Sequence, residues 1–128
     1  MYFQAFAYIK DNGGISTAKS YPYKGDYDYC RYSNRTRGTT VNGYAYLPYG
    51  DEKQLQIAVA QIGPISVAID ATEFELYHKG IYSNQNCSAT HINHAVLVVG
   101  YGSEKIQSAD GTENEVDYWI IKNRYQKL

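Results

Sequence analysis

An excess of charge of either sign is missing from this chain. Its 128 residues carry 12 Lys/Arg against 13 Asp/Glu, a formal net charge of −1 at pH 7. So even a balance gives no electrostatic reason to invoke nucleic acid or an anionic membrane, and no Lys/Arg cluster or Arg-rich arm occurs. Long hydrophobic runs are missing too. The longest, Ala95 to Val99, falls far short of the roughly 20 residues a bilayer span requires. Met1 is followed by Tyr2-Phe3-Gln4-Ala5-Phe6, without a basic region or a small-residue cleavage site, so no signal peptide is expected here. Cysteine is scarce. Cys30 and Cys87 could form one bridge, stand as two free thiols, or be halves of bridges whose partners lie elsewhere.

What is present suits one domain, or one domain and a piece of another. Tyrosine is abundant, with 15 residues; its apolar face and polar tip fit a half-wet core or a binding cleft. Phe3, Phe6, Ala7 and Lys10 fall on one face of an opening helix, which Asp11-Asn12-Gly13-Gly14 should stop. Residues 15–50 read as loop with short strand pieces. Tyr21, Tyr23, Tyr27 and Tyr29 at alternate positions suggest packing. Asn34-Arg35-Thr36 and Asn86-Cys87-Ser88 are glycosylation sequons. Asp51 starts a second helix with Leu55, Ala58, Val59 and Ile62 as its apolar stripe, and Gly63-Pro64 ends it. Ile65 to Ile69 alternates as a strand. Thr72 to Lys79 is a short helical or turn segment, and Gly80-Ile81-Tyr82 resumes extended chain.

Two further apolar strands carry the chemistry. Asn93 to Gly102 (NHAVLVVGYG) opens on a histidine, and Asp117 to Asn123 (DYWIIKN) closes on an amide, with a polar loop between. Paired as an antiparallel hairpin, the start of one strand lies beside the end of the other, so His94 and Asn123 become neighbours. An amide oxygen accepting one ring N–H fixes the tautomer, and the second ring nitrogen can serve a nucleophile. With a thiol the product is a thiolate–imidazolium pair. A histidine flanking an apolar strand is more often a hydrogen-bonded structural residue; the hairpin is what raises His94 above that. A different class of reading is a zinc site at Cys87, His91 and His94, with His78 or Asp70 as a fourth ligand, although C-x3-H-x2-H is looser than recognised zinc spacings. Asp51/Glu52 and Glu73/Glu75 read as solvated charges in helix first turns.

The segments around these residues resemble the papain family of cysteine proteases, most closely its cathepsin L branch. They are Gln4 to Ile15, Ser20-Tyr21-Pro22-Tyr23, Cys30-Arg31-Tyr32, Val59 to Asp70, Lys79 to Tyr82, Asn93 to Gly102 and Asp117 to Asn123. The resemblance implies an incomplete papain-like α+β fold. Residues 1–37 would be the tail of the helical lobe, and residues 38–128 most of the antiparallel, barrel-like β lobe without its last strands, with the family's cleft between the lobes. It implies a thiol protease, a hydrolase that cleaves peptide bonds through a thioester acyl-enzyme. His94 would be the catalytic base and acid and Asn123 its orienting amide. Ala68, Ile92 and Ala95 would line the pocket for the substrate's apolar side chain, and Asn93 would lie at the substrate backbone. No cofactor or metal is implied. The expected partners are a polypeptide substrate or a protease inhibitor, not nucleic acid or membrane, and the family is lysosomal or secreted.

The sequence departs from the family pattern in ways that bear on activity. The nucleophilic cysteine motif, Cys-Gly-Ser-Cys-Trp, and the oxyanion glutamine before it do not occur. After Asn123 the family continues Ser-Trp-Gly, whereas here Arg124-Tyr125-Gln126-Lys127-Leu128 follows. By resemblance, Cys30 and Cys87 are each half of a disulfide whose other half lies in a missing N-terminal or C-terminal segment, so they are not expected to pair with one another. The family pattern also sets Cys87 away from the cleft, which argues against it as a substitute nucleophile. Two readings follow: an inactive piece of a cysteine endopeptidase, or a truncated non-catalytic relative that binds peptides, inhibitors or another protease subunit.

Overall fold

The structure is a computed structural model that describes residues 2–108 and 110–124. The sequence expectations for Met1 and for the tail 125–128 lie outside the described residues. The chain divides into two compact units, Met1–Tyr46 and Leu47–Leu128.

In the first unit, helix α1 (Tyr2–Asp11) is followed by a small antiparallel pair, β1 (Ile15–Ser16) with β2 (Arg37–Thr39). The helix stops where Gly13 takes a positive φ of 74°, which glycine adopts without steric cost. Gly14 admits the close approach of β2: a Cβ there would lie 2.8 Å from the Thr39 carbonyl oxygen and 2.6 Å from Arg37 Cδ. The helix uses its aromatic stripe, with Phe3 beside Tyr46 and Phe6 beside Tyr44 at 6.3 Å between ring centroids. The alternate tyrosines depart from the packing expected of them. The Tyr21 ring lies under the Arg31 guanidinium at 5.1 Å, but Tyr23, Tyr27 and Tyr29 are exposed. The 21–29 segment forms no strand, so alternation gives it no buried face.

In the second unit, helix α2 (Glu52–Gln61) is capped by Asp51, whose carboxylate accepts the Gln54 N–H at 2.9 Å. Ala58 and Val59 are buried. Ile62 sits at the C-cap, 79% exposed, because the helix ends one residue before the stripe does. Three strands, β3 (Ile65–Ile69), β4 (His94–Gln107) and β5 (Glu113–Lys122), form an antiparallel sheet in the order β3-β4-β5. Val96 and Val98 of β4 point inward with Ala58 and Val59, and Val98 is only 2% exposed. A 3-10 turn, Phe74–Leu76, follows β3. Glu73 precedes it but makes no cap; its carboxylate accepts from Asn84 Nδ2 at 2.9 Å.

The expected polar loop between the last two strands is mostly strand. The ladder runs on to Gln107 and resumes at Glu113, with Glu104 facing Val116 and Ile106 facing Asn114. This outer half is a solvent-exposed ribbon. With little to bury, Val116 being its half-buried residue, it needs no sustained apolar alternation, and backbone pairing with cross-strand polar contacts sustains it. One irregularity lies between Val98 and Gly100. There Val99 is an extra residue that resets which side chains face the core.

Candidate active site

His94 is the first residue of β4 and pairs with Ile69, the last of β3. Asn123 follows directly on β5. The hairpin therefore returns the chain to its starting edge, and His94 Nε2 meets Asn123 Oδ1 at 2.8 Å. The backbone N–H of Arg124 donates to the same Oδ1 at 2.7 Å. The Arg124 N–H can only donate, which identifies this atom as the amide oxygen, and that oxygen can only accept. Nε2 must then carry the proton, and the neutral ring keeps Nδ1 as its unprotonated nitrogen. This is the tautomer a general base needs when its second nitrogen is held by an orienting acceptor. The sequence pointed to the His94–Asn123 pair but not to the Arg124 N–H that fixes the amide.

Ala68 and Ala95 face each other directly across β3 and β4. Paired residues share a face of the sheet, and Val96, the next residue of β4, is turned into the core. The two alanines are exposed, and Ile92, two residues before His94, is 42% exposed. Small opposed methyls leave room above the sheet for an apolar group. A cavity of about 1000 Å³ adjoins Asn123, walled in part by Phe74, Tyr77, Tyr82, Trp119 and Ile121. Phe74 and Tyr82 meet edge to face at 4.5 Å between centroids.

Asn93 has its side chain fully occupied. Oδ1 accepts the Ala71 N–H at 2.8 Å, and Nδ2 donates to Thr72 Oγ1 at 3.0 Å and to Asp70 Oδ1 at 3.3 Å. Its backbone N–H donates to the Ile69 carbonyl at 3.1 Å, so what Asn93 can offer a substrate is its backbone carbonyl. The centre of this cluster is Asp70, a residue sequence reasoning entertained only as a metal ligand. Its carboxylate accepts from Thr72 Oγ1 at 2.5 Å, Thr72 N at 3.1 Å and Ser88 N at 3.0 Å. These donors, the Thr72 hydroxyl first, hold its pKa down at about 2. The signal was available in the sequence, since Asp-x-Thr is a local turn pattern in which both side chains bond nearby backbone.

The zinc reading is not carried by the structure. Among the described residues no three His, Cys, Asp or Glu side chains gather to hold an ion. Cys87 Sγ lies 3.9 Å from the Asp70 carbonyl oxygen, and the His94 ring is committed to Asn123. Cys30 and Cys87 are free and exposed. The Cys30 thiol is drawn below its usual range by the Tyr32 backbone N–H and then by the Tyr8 hydroxyl, 3.6 Å away.

With this geometry established, comparison with known proteins is decisive. The model of the papain family cysteine protease matches residues 1–127. The chain belongs to the papain family. It is 47% identical to cathepsin L of Sarcophaga peregrina over 94% of its own length, which is 34% of that protein. Digestive procathepsin L 3 from the larval midgut of Tenebrio molitor superposes with a TM-score of 0.81 at 46% identity, covering 94% of this chain and 37% of that one. Bromelain of Ananas comosus, solved in complex with the E64 inhibitor, gives a TM-score of 0.74 at 36% identity, covering 94% and 52%. This papain-family chain therefore spans about a third of the length of its cathepsin L relatives. Its mixed helices and antiparallel sheets are part of the papain-like α+β fold. Among its described residues no helix is long and apolar enough to cross a membrane.

Proposed function

We propose that this chain carries the acid–base half of a cathepsin L-like cysteine endopeptidase. Residues 1–37 would belong to the helical lobe and residues 38–128 to the β-rich lobe. His94 is the residue that takes a thiol proton and later delivers it to the leaving amine. Asn123 holds the ring in the tautomer this requires. Ala68, Ala95 and Ile92 receive an apolar substrate side chain, and the Asn93 backbone meets the peptide. The single observation that supports the reading is the 2.8 Å His94–Asn123 hydrogen bond, with the amide oxygen pinned by Arg124 N–H.

Peptide hydrolysis through a thioester needs an attacking thiolate. Cys30 and Cys87, the two cysteines of the sequence, are by family position disulfide halves. The chain alone is therefore proposed to be inactive, its partners being polypeptides or protease inhibitors and its setting lysosomal or secreted. A fluorogenic peptide with an apolar residue before the cleavage position should stay intact. An epoxide inhibitor of the E64 type, which bromelain binds in its solved complex, should not label the chain in a His94-dependent manner. Labelling that disappears in His94→Ala would overturn the inactivity. An unchanged His94 ring tautomer in Asn123→Ala would overturn the assigned pair itself.

A further inference from the structure

We infer that Asp70 is the positioning residue of this site, the group that fastens the segment leading into His94 so that the ring stays on Asn123. The inference rests on the His94–Asn123 reading and adds a residue to it. His94 is the end of the β3–β4 register, since its pairing with Ile69 is the last of that ladder. Strand ends open at low free energy, and here the strand end carries the working side chain. Beyond the ladder, two polar bridges take over. Asn93 N–H donates to the Ile69 carbonyl at 3.1 Å, and the Asn93 side chain ties Ala71, Thr72 and Asp70 together. The second oxygen of Asp70 reaches 18 residues along the chain to the Ser88 N–H. Ser88 Oγ in turn accepts the Thr90 and His91 N–H groups at 3.2 and 2.9 Å. One carboxylate thus closes the loop preceding His94 at both of its ends.

An internal control exists. Asp110-Gly111-Thr112 repeats the local pattern, with Asp110 accepting Thr112 N at 2.9 Å and Thr112 Oγ1 at 2.6 Å. It sits at the exposed hairpin tip and, among the described residues, bonds within its own turn, without the reach to a distant segment that Ser88 and Asn93 give Asp70.

The test is the ring nitrogen pattern of His94 in the 15N-labelled full chain at pH 7.5, compared among Asp70→Ala, Asp70→Asn, Asp110→Ala and Asn123→Ala. Wild type and Asp110→Ala should show one tautomer, protonated at Nε2. Asp70→Ala should lose it, giving averaged nitrogen shifts. If Asp70→Ala does not fold, Asp70→Asn decides: it keeps the shape, but an amide cannot accept at both positions where Asp70 does. A single Nε2–H tautomer retained in a folded Asp70 variant overturns the inference. If Asn123→Ala scrambles the ring while the Asp70 variants do not, the pair stands and only the role of Asp70 fails. If Asn123→Ala also leaves the ring unchanged, both fail.

Discussion

The two ends of the β4–β5 hairpin are made of the same backbone and do opposite things. At the base, Val98 is 2% exposed and His94 meets Asn123. At the tip, the strands run as a solvated ribbon in which Lys105 and Glu113 meet at 3.4 Å with both side chains largely in water. Each end also has an Asp-x-Thr turn with the same local hydrogen bonds. At the base the aspartate is half-buried and bonded to a segment 18 residues away; at the tip it is exposed and bonded within its own turn. Local grammar is shared, and consequence depends on what the fold brings within reach.

The largest difference should appear in the core. Val98→Ala removes two buried methyl groups from the centre of the sheet, where little other core exists, and should cost about 2 kcal/mol. Truncation to alanine at the tip, Ile106→Ala, removes three carbons of a side chain already 39% exposed and should cost about 1 kcal/mol. Urea unfolding of the two variants measures the contrast. Equal losses would mean that the ribbon holds the fold as firmly as the base.

A smaller effect separates the two aspartates by pH. The folded-state pKa of Asp70, about 2, lies below the ~3.9 of an unfolded chain. A depressed carboxylate contributes stability above the unfolded value and loses it as pH falls through the folded one. The gap in Tm between wild type and Asp70→Asn should therefore be constant above about pH 5 and shrink between about pH 4 and 2. Asp110 is lowered as well, by the Thr112 hydroxyl and then the Thr112 N–H. Its gap should shrink in the same direction, from a smaller starting value. A pH-independent gap for Asp70 would show that its bonds do not form in the folded state.

What could be read from sequence follows the same division. The helix of Glu52–Gln61, the strand of Ile65–Ile69 and the meeting of His94 with Asn123 rest on apolar periodicity and the return of a hairpin, both legible along the chain. The outer ribbon was not, because strands that bury little carry little alternation; Gln107 and Glu113 read as loop residues until they pair. Ile62 continued the apolar stripe in sequence, yet the helix ended before it. Asp70 was legible as a turn former but not as a fastening, since its Ser88 partner is set by how β3 and β4 fold together. The Arg124 N–H on Asn123 is a backbone donor, which no side-chain pattern announces.

The smallest effect tests whether the ribbon depends on its charges at all. Lys105 Nζ and Glu113 Oε2 form an exposed pair at 3.4 Å. Water and salt screen such pairs, and ordering two long side chains opposes them, so they contribute about 0–1 kcal/mol. Lys105→Ala should lie at the low end, near 0.3 kcal/mol, and the difference from wild type should vanish at 1 M salt, where the screening length is about 3 Å. If the loss were larger and persisted in salt, the aliphatic stem of Lys105 would be packing against the neighbouring strand. The tip would then own a hydrophobic anchor, and its contrast with the base would be one of degree. A salt-sensitive loss of a few tenths leaves backbone pairing as the ribbon's main support, with the site at the base held independently of it.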